Sequence, residues 1–340
     1  MRIGIFAPAH SRQTQLLSRA LDDIAPGAAV WLNPNLGPDH RVAIDGAALS
    51  WNGAPLTQFD ALLIHGFAYE DPVIPPADPL QDWSLWQAGP LIAQQRYSFL
   101  YSLLARLEAV GGPRLYNPLS SAVAAFARFT LLDRLRLAGA AIPDLICAND
   151  PAAAAAFCAR HPTVVWRPMT GQAGWQLFRD RQRQALIGRD QPPVMLAAVA
   201  PGPLVRVSVL DGQAVLALET APPARDELER LEVMFPSRSL SAPQLAAIAA
   251  AVAGLGLRWA TALVVATANG PVFYDVDPDP VATDLPDCFR DRLLRRLAAA
   301  LAGAPAPAEA DAPSAAARPA LLLRRMLAIQ FDMEQTKYAD

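Results

Sequence analysis

Three short apolar runs, the first two separated by an amphipathic stretch, constrain the start of this chain more than any other feature. Residues 2–6 of "MRIGIFAPAH", "AVWLN" at 29–33 and "DALLIHG" at 60–66 each read as a buried strand. Between the first two, "SRQTQLLSRAL" offers Ser11 as a helix cap and Leu16, Leu17 and Leu21 as one apolar face. A strand that reaches its neighbour through a helix runs parallel to it, because a tight turn only joins antiparallel strands. The expected opening is therefore an open, parallel α/β sheet. "RVAIDGAALSWNGAPL" inserts Asp-Gly and Asn-Gly turns between short alternating runs, the pattern of hairpins.

Further along, residues 67–82 are proline-rich and irregular, and "LWQAGPLIAQQRYSFLYSLLARLEAVGG" predicts a long helix. Its apolar face is expected to use Phe99, Leu103, Leu107 and Val110, with Gly111-Gly112 ending it. "RLYNP" closes a first domain at residues 1–118. Residues 119–193 then read as a first lobe: one helix over "SAVAAFARFTLLDRLRLAG", the proline-marked "AAIPDLICA", an alanine-rich helix at 151–160 and the strand "VVWRP". Residues 194–301 read as a second lobe, with hairpins turning at Asp211-Gly212 and Asn269-Gly270 and helices at 241–254 and 287–302. Residues 302–320 form an Ala/Pro linker with too few large apolar side chains to pack. Residues 321–340 form an amphipathic tail helix, which can dock on the body or on a second subunit to make a homodimer.

Composition narrows the function classes. The net charge is −3 and the pI about 5.8, which leaves no basic footprint for nucleic acid. No basic amphipathic stretch suits a membrane surface. The opening apolar run is too short for a secretory signal, and no span reaches the ~20 apolar residues of a membrane helix. The expectation is a soluble, cytoplasmic protein. The three cysteines, Cys147, Cys158 and Cys288, have no metal or redox spacing and are expected as reduced, buried small hydrophobes. Of the 29 lysines and arginines only Lys337 is a lysine, as GC-rich coding would produce. Arginine where lysine is expected can therefore reflect usage alone.

Four stretches carry the chemistry. "TVVWRPMTGQAGW" runs a β-branched strand into a glycine-containing loop, with Arg167 at the strand end. A guanidinium there can grip phosphate with its fork, or simply stand as a surface charge. "LVRVSVLDGQAVLALE" sets Arg206 in an otherwise apolar strand, where a charge needs a partner. "GPVFYDVDPDP" places Asp275 and Asp277 two apart on a strand, so both carboxylates leave one face. Such a pair suits Mg²⁺ shared with substrate phosphates, or is merely a polar strand exit. Asp279 and Asp284 are expected as solvent-exposed loop residues. His10 and His65 end N-terminal strands, where open α/β sheets place ligands, though a structural role is the more ordinary reading of each.

In this order the stretches resemble the ATP-grasp family, in the branch of ribosomal-protein glutamate ligases and glutathione synthetase. The resemblance runs over roughly residues 85–282, through Asn117-Pro118, the helix with Arg128, "AAIPD", "VVWRP", "VRVSVLDG" and "VFYDVDPDP". It implies a parallel-sheet N-terminal domain followed by two α+β lobes. It also implies an ATP-dependent ligase that joins small-molecule or peptide carboxylates to amines through an acyl phosphate. On that resemblance Arg128 and Arg167 stand at the phosphate-binding lysines, and Met169, Thr170, Gly171 and Gly174 belong to the loop over ATP. Arg206 steadies the transferring group, and Asp275 and Asp277 hold Mg²⁺. The chain departs from the pattern in three places. Leu263 stands where a further metal-binding acid is expected, twelve residues before Asp275. "MLAAVAPGPLVR" has no acid, and the acceptor-side Arg…Asn pattern is missing from "TAPPARDELERLEVMF". These departures leave open an alternative, a degenerate ATP-grasp scaffold that binds a peptide, metabolite or protein partner without turnover.

Overall fold

A computed structural model describes residues 1–7, 11–34, 40–46, 48–66, 83–123, 127–169, 174–180, 182, 184, 187, 191–221, 230–308 and 316–317. The chain opens with β1 (Ile3–Phe6), α1 (Arg12–Ile24) and β2 (Ala29–Leu32). Ser11 caps α1 by accepting from the Thr14 amide, and Leu17 and Leu21 are buried beneath it. Two small hairpins follow, built from β3 (Val42–Asp45), β4 (Ala48–Trp51) and β5 (Ala54–Pro55). β6 (Ala61–Ile64), α2 (Trp83–Val110) and β7 (Arg114–Tyr116) complete a sheet of order β2-β1-β6-β7, parallel throughout.

The stripe that α2 buries is Leu100, Leu103, Leu104 and Leu107, rotated from the expected one. Phe99 is only partly covered, and Val110, in the last turn beside Gly111, is 41% exposed. The helix expected over 121–139 is also divided. A short α3 (Leu119–Ala122) precedes α4 (Arg128–Leu137), so Arg128 begins a helix instead of lying within one.

The first lobe adds β8 (Leu145–Ala148), α5 (Pro151–Arg160), β9 (Val164–Pro168), β10 (Gln176–Leu177) and β11 (Val194–Ala198), in an antiparallel sheet of order β10-β9-β11-β8. β11 belongs to this sheet, so pairing crosses the boundary expected at residue 194. The second lobe is an antiparallel sheet of β12 (Leu204–Leu210), β13 (Gln213–Ala221), β14 (Arg230–Pro236), β15 (Trp259–Thr267), β16 (Gly270–Asp277) and β17 (Ala316–Ala317), in the order β16-β15-β12-β13-β14-β17. β17 comes from the expected linker and pairs with Val233 and Met234. Asp211 (φ 46°) and Gly212 (φ 74°) form the two-residue turn between β12 and β13, both left-handed as such a turn requires. The turn before β16 is Ala268-Asn269, one residue earlier than expected, because Thr267 pairs with Gly270.

α6 (Ala242–Gly254) covers one face of this sheet through Ile248, Ala249 and Val252. α7 (Asp287–Ala302) covers the other with Phe289, Leu293 and Leu297, and also packs on α1. The N-terminal sheet and the second lobe thus share one core through α7, and the first lobe joins the second through Leu131, Val165, Trp175 and Met195. Between the lobes, Gly202 (φ 146°) runs so close to β15 that a Cβ would fall 2.1 Å from the Ala266 carbonyl oxygen.

Cys147 and Cys288 are exposed and Cys158 is half-buried, against the expectation of core cysteines. Cys147 lies on β8, an edge strand of its sheet. Among the described residues no helix is long and apolar enough to cross a membrane. Residues 67–82 and the tail helix expected over 321–340 lie outside the described residues.

Candidate functional site

β9 alternates two environments. Val165 and Arg167 point the same way, into the seam between the lobes, and Arg167 is only 3% exposed. Its guanidinium lies over the Trp175 ring, 5.7 Å from the centroid. Trp175 packs edge-on against Tyr274 and donates from Nε1 to the Tyr274 carbonyl at 3.3 Å. The Tyr274 hydroxyl in turn donates to the Ala198 carbonyl at 2.7 Å and accepts from the Ala200 amide at 2.6 Å. One aromatic pair therefore connects the first lobe to β16, one residue from Asp275.

Asp275 meets both of the arginines expected at phosphate, Arg128 and Arg167. Arg167 Nη1 donates to Asp275 Oδ2 at 2.6 Å, and Arg128 Nη1, from the start of α4, donates to the same oxygen. Arg128 Nη2 lies 3.8 Å from Asp277 Oδ1, which also accepts from the Asp279 amide at 3.1 Å. Burial alone would raise the Asp275 carboxyl, but the guanidinium groups of Arg128 and Arg167 hold it at about 2. Asp277 moves the other way. Its burial raises it, Arg128 opposes, and the charges of Asp275 and Asp279 add to the rise.

Strand register places the remaining residues. Leu218, Arg206, Leu263 and Asp275 are successive partners across β13, β12, β15 and β16, so they form one row on one face of the sheet. The next row holds Leu216, Ser208, Thr261 and Asp277. Arg206 is partly buried, on the same face as the carboxylates, with Leu263 between it and Asp275. Met169 and Gly174, both half-buried, flank the glycine loop, while Thr170 and Gly171 lie outside the described residues.

Sequence reasoning missed a second buried pair. Asp279, expected on an exposed loop, is 6% exposed. It accepts from His65 Nδ1 at 2.5 Å and from the Gly66 amide at 2.7 Å. Burial works against a charge on His65, but the charge and hydrogen bond of Asp279, with Asp277 beyond it, raise its pKa above the usual 6.5. Gln13, buried on α1, donates to the Pro280 carbonyl at 3.1 Å and accepts from the Ala282 amide at 2.5 Å, so the N-terminal domain holds the segment that follows β16 at two places, through His65 and through Gln13. The one signal for this pair was His65 at a strand end of a parallel sheet; Asp279 read as a turn. Asn117 was legible only as part of a motif. It is 1% exposed, donates to the Trp259 and Pro278 carbonyls at 2.5 Å each, and accepts from the Arg258 and Trp259 amides at 2.8 Å each. His10 lies outside the described residues, and Asp284 is half-buried in a short helical turn.

The expected phosphate ligands and the expected magnesium ligands are thus brought together, as counter-ions of each other. Two forked guanidinium groups suit the anionic oxygens of a nucleotide. The donor set suits a metal poorly. Asp275 Oδ2 already serves two cations, Leu263 offers no oxygen in the row, and a dication would sit beside two buried positive charges. Among the described residues no three His, Cys, Asp or Glu side chains stand together as a metal site.

No family model matches the sequence, and no curated protein matches it. Solved structures do. The ATP-grasp ligase PsnB, complexed with precursor peptide PsnA2 and AMPPNP, superposes with a TM-score of 0.70 at 20% identity, over 88% of this chain and 96% of that one. The macrocyclase MdnC from Microcystis aeruginosa MRC, bound with precursor peptide MdnA, gives 0.68 at 13% identity, over 89% and 100%. An ATP-grasp RimK domain protein from Sphaerobacter thermophilus DSM 20745 gives 0.55 at 20% identity, over 89% and 98%. A parallel N-terminal sheet, two α+β lobes meeting at buried arginines, and superposition over nearly nine-tenths of the chain lead to one conclusion: this protein has the ATP-grasp fold.

Proposed function

We propose that this protein is an ATP-dependent ligase that joins a carboxylate to an amine on a peptide substrate, acting in the cytoplasm. The observation that carries this reading is the meeting of Arg128 and Arg167, from two different elements of the first lobe, at Asp275 of the second. Buried charge is costly and adds little to stability for its own sake, so a cluster of it in a seam between lobes points to an anionic ligand. The peptide partner is suggested by the precursor peptides bound to PsnB and MdnC.

In the proposed reaction the substrate carboxylate takes the γ-phosphoryl group of ATP, and ADP leaves. The amine then attacks the acyl carbon, phosphate departs with the C–O bond pair, and the amine gives up a proton to form the amide. This chain's part is placement and charge neutralisation. Arg128 and Arg167 bind phosphate oxygens, Arg206 faces the group in transfer, and Met169 and Gly174 anchor the loop above them.

Leu263 favours a second reading, in which the cleft binds a peptide without turnover. An apolar side chain stands in the row where a further acid would assist phosphoryl transfer. One assay separates the two. Protein, ATP, Mg²⁺ and candidate peptides are incubated together, ADP is measured, and the peptide is weighed by mass spectrometry. The ligase reading expects ADP release matched to a peptide that has lost one water. Peptide binding with ADP release at the blank rate selects the second reading.

A further inference from the structure

We infer that Arg128 and Arg167 form a polyphosphate grip that works without a divalent cation, and that Asp275 is the anion occupying it in the unliganded protein. The inference rests on the nucleotide reading of this cleft. Both guanidinium groups are almost fully buried, come from separate elements of the first lobe, and converge on a single oxygen, Asp275 Oδ2. That is the arrangement of a site built for an anion, with a carboxylate of the opposite lobe standing in it. The Asp275 side chain keeps 14% of its surface exposed, so the carboxyl group is not sealed in a core.

A phosphate chain would compete with Asp275 on favourable terms. It presents several anionic oxygens where the carboxylate presents two, and each guanidinium can take a pair of them. In a site of low polarity several negative charges attract both arginines more strongly than one, against the repulsion of the Asp275 and Asp277 carboxylates that remain on β16. The cation that usually screens such a chain is here replaced by fixed guanidinium groups, with Arg206 a third on the same face of the sheet. Mg²⁺ would need oxygens in near-octahedral array, yet the neighbour of Asp275 in its row is Leu263. A metal ligand and a resident anion respond oppositely to loss of charge at position 275. Neutralising a metal ligand weakens nucleotide binding; neutralising a resident anion strengthens it.

The test is calorimetric titration of the full chain and of Asp275→Asn with inorganic tripolyphosphate and with ATP, each in EDTA and in Mg²⁺. Wild-type protein is expected to bind tripolyphosphate equally well in both buffers, and Asp275→Asn to bind it roughly ten-fold tighter. Binding that appears only with Mg²⁺ overturns the cation-free grip. Unchanged or weaker binding by Asp275→Asn overturns the resident anion. If the variant does not fold, the wild-type comparison of EDTA with Mg²⁺, repeated with Arg167→Met, still decides the grip; loss of binding in that variant supports it, and retention overturns it. Tripolyphosphate binding without ATP binding upholds the grip while the ATP-dependent ligase fails. Binding of neither overturns both.

Discussion

Leu263 lies directly opposite Asp275 across the β15–β16 ladder, its side chain 6% exposed. A leucine in that place sets the character of the site, because it removes an oxygen donor from the row and leaves the arginines to balance the carboxylate.

Leu263→Asp would restore a third acid to this face. Without metal the variant should melt earlier than wild type, since a second buried carboxylate then stands directly opposite that of Asp275. With millimolar Mg²⁺ it should regain part of that loss, whereas wild type should not respond. Thermal melts with and without Mg²⁺ check both halves.

Arg167→Met removes one of the two partners of a buried carboxylate. Stranding a buried charge outright costs about 3–5 kcal/mol. Arg128 still holds Asp275 in this variant, so urea unfolding should show a loss below that figure. The triple variant Arg128→Met, Arg167→Met, Asp275→Leu should recover part of it, because apolar residues of similar size need no counter-ion, while Asp277 loses the guanidinium of Arg128.

Much of the architecture was legible because it depends on local rules. The parallel opening follows from strand–helix–strand order, and Asp211-Gly212 and the two early hairpins follow from turn chemistry. Asp275 and Asp277 share a face because a strand has a period of two. What was not legible is what these side chains touch. The pairing of Arg128 with Asp275 spans 147 residues, and that of His65 with Asp279 spans 214. No local pattern marks either one. The break before α4 was hidden because "SAVAAFARF" contains no Gly or Pro to mark it, and Phe99 and Val110 matched a helical stripe that tertiary packing turned toward Leu100 and Leu104.

His65 should give stability a pH dependence. Its pKa is raised in the folded protein, so its contribution is complete below the unfolded value of 6.5 and fades as pH climbs through the folded value above that. Melting temperature from pH 6 to 9 should fall more steeply for wild type than for His65→Gln. Equal slopes would mean that the Asp279 pairing carries no linked proton.

Asn117→Ala should be among the most damaging single changes. It strands two carbonyls and two amides that the side chain now satisfies, mostly in buried surroundings. Unsatisfied groups of this kind predict a loss of about 3–5 kcal/mol in denaturant unfolding. Asn117→Asp should recover little, since a carboxylate cannot donate to the Trp259 and Pro278 carbonyls.

The Tyr274 hydroxyl bonds on both sides of the residue between Ala198 and Ala200, where the chain leaves β11 on its way to β12. A single phenol thus brackets the connection between the two sheets, and its loss would release a carbonyl and an amide of that connection together, one residue away from the carboxylate both arginines hold.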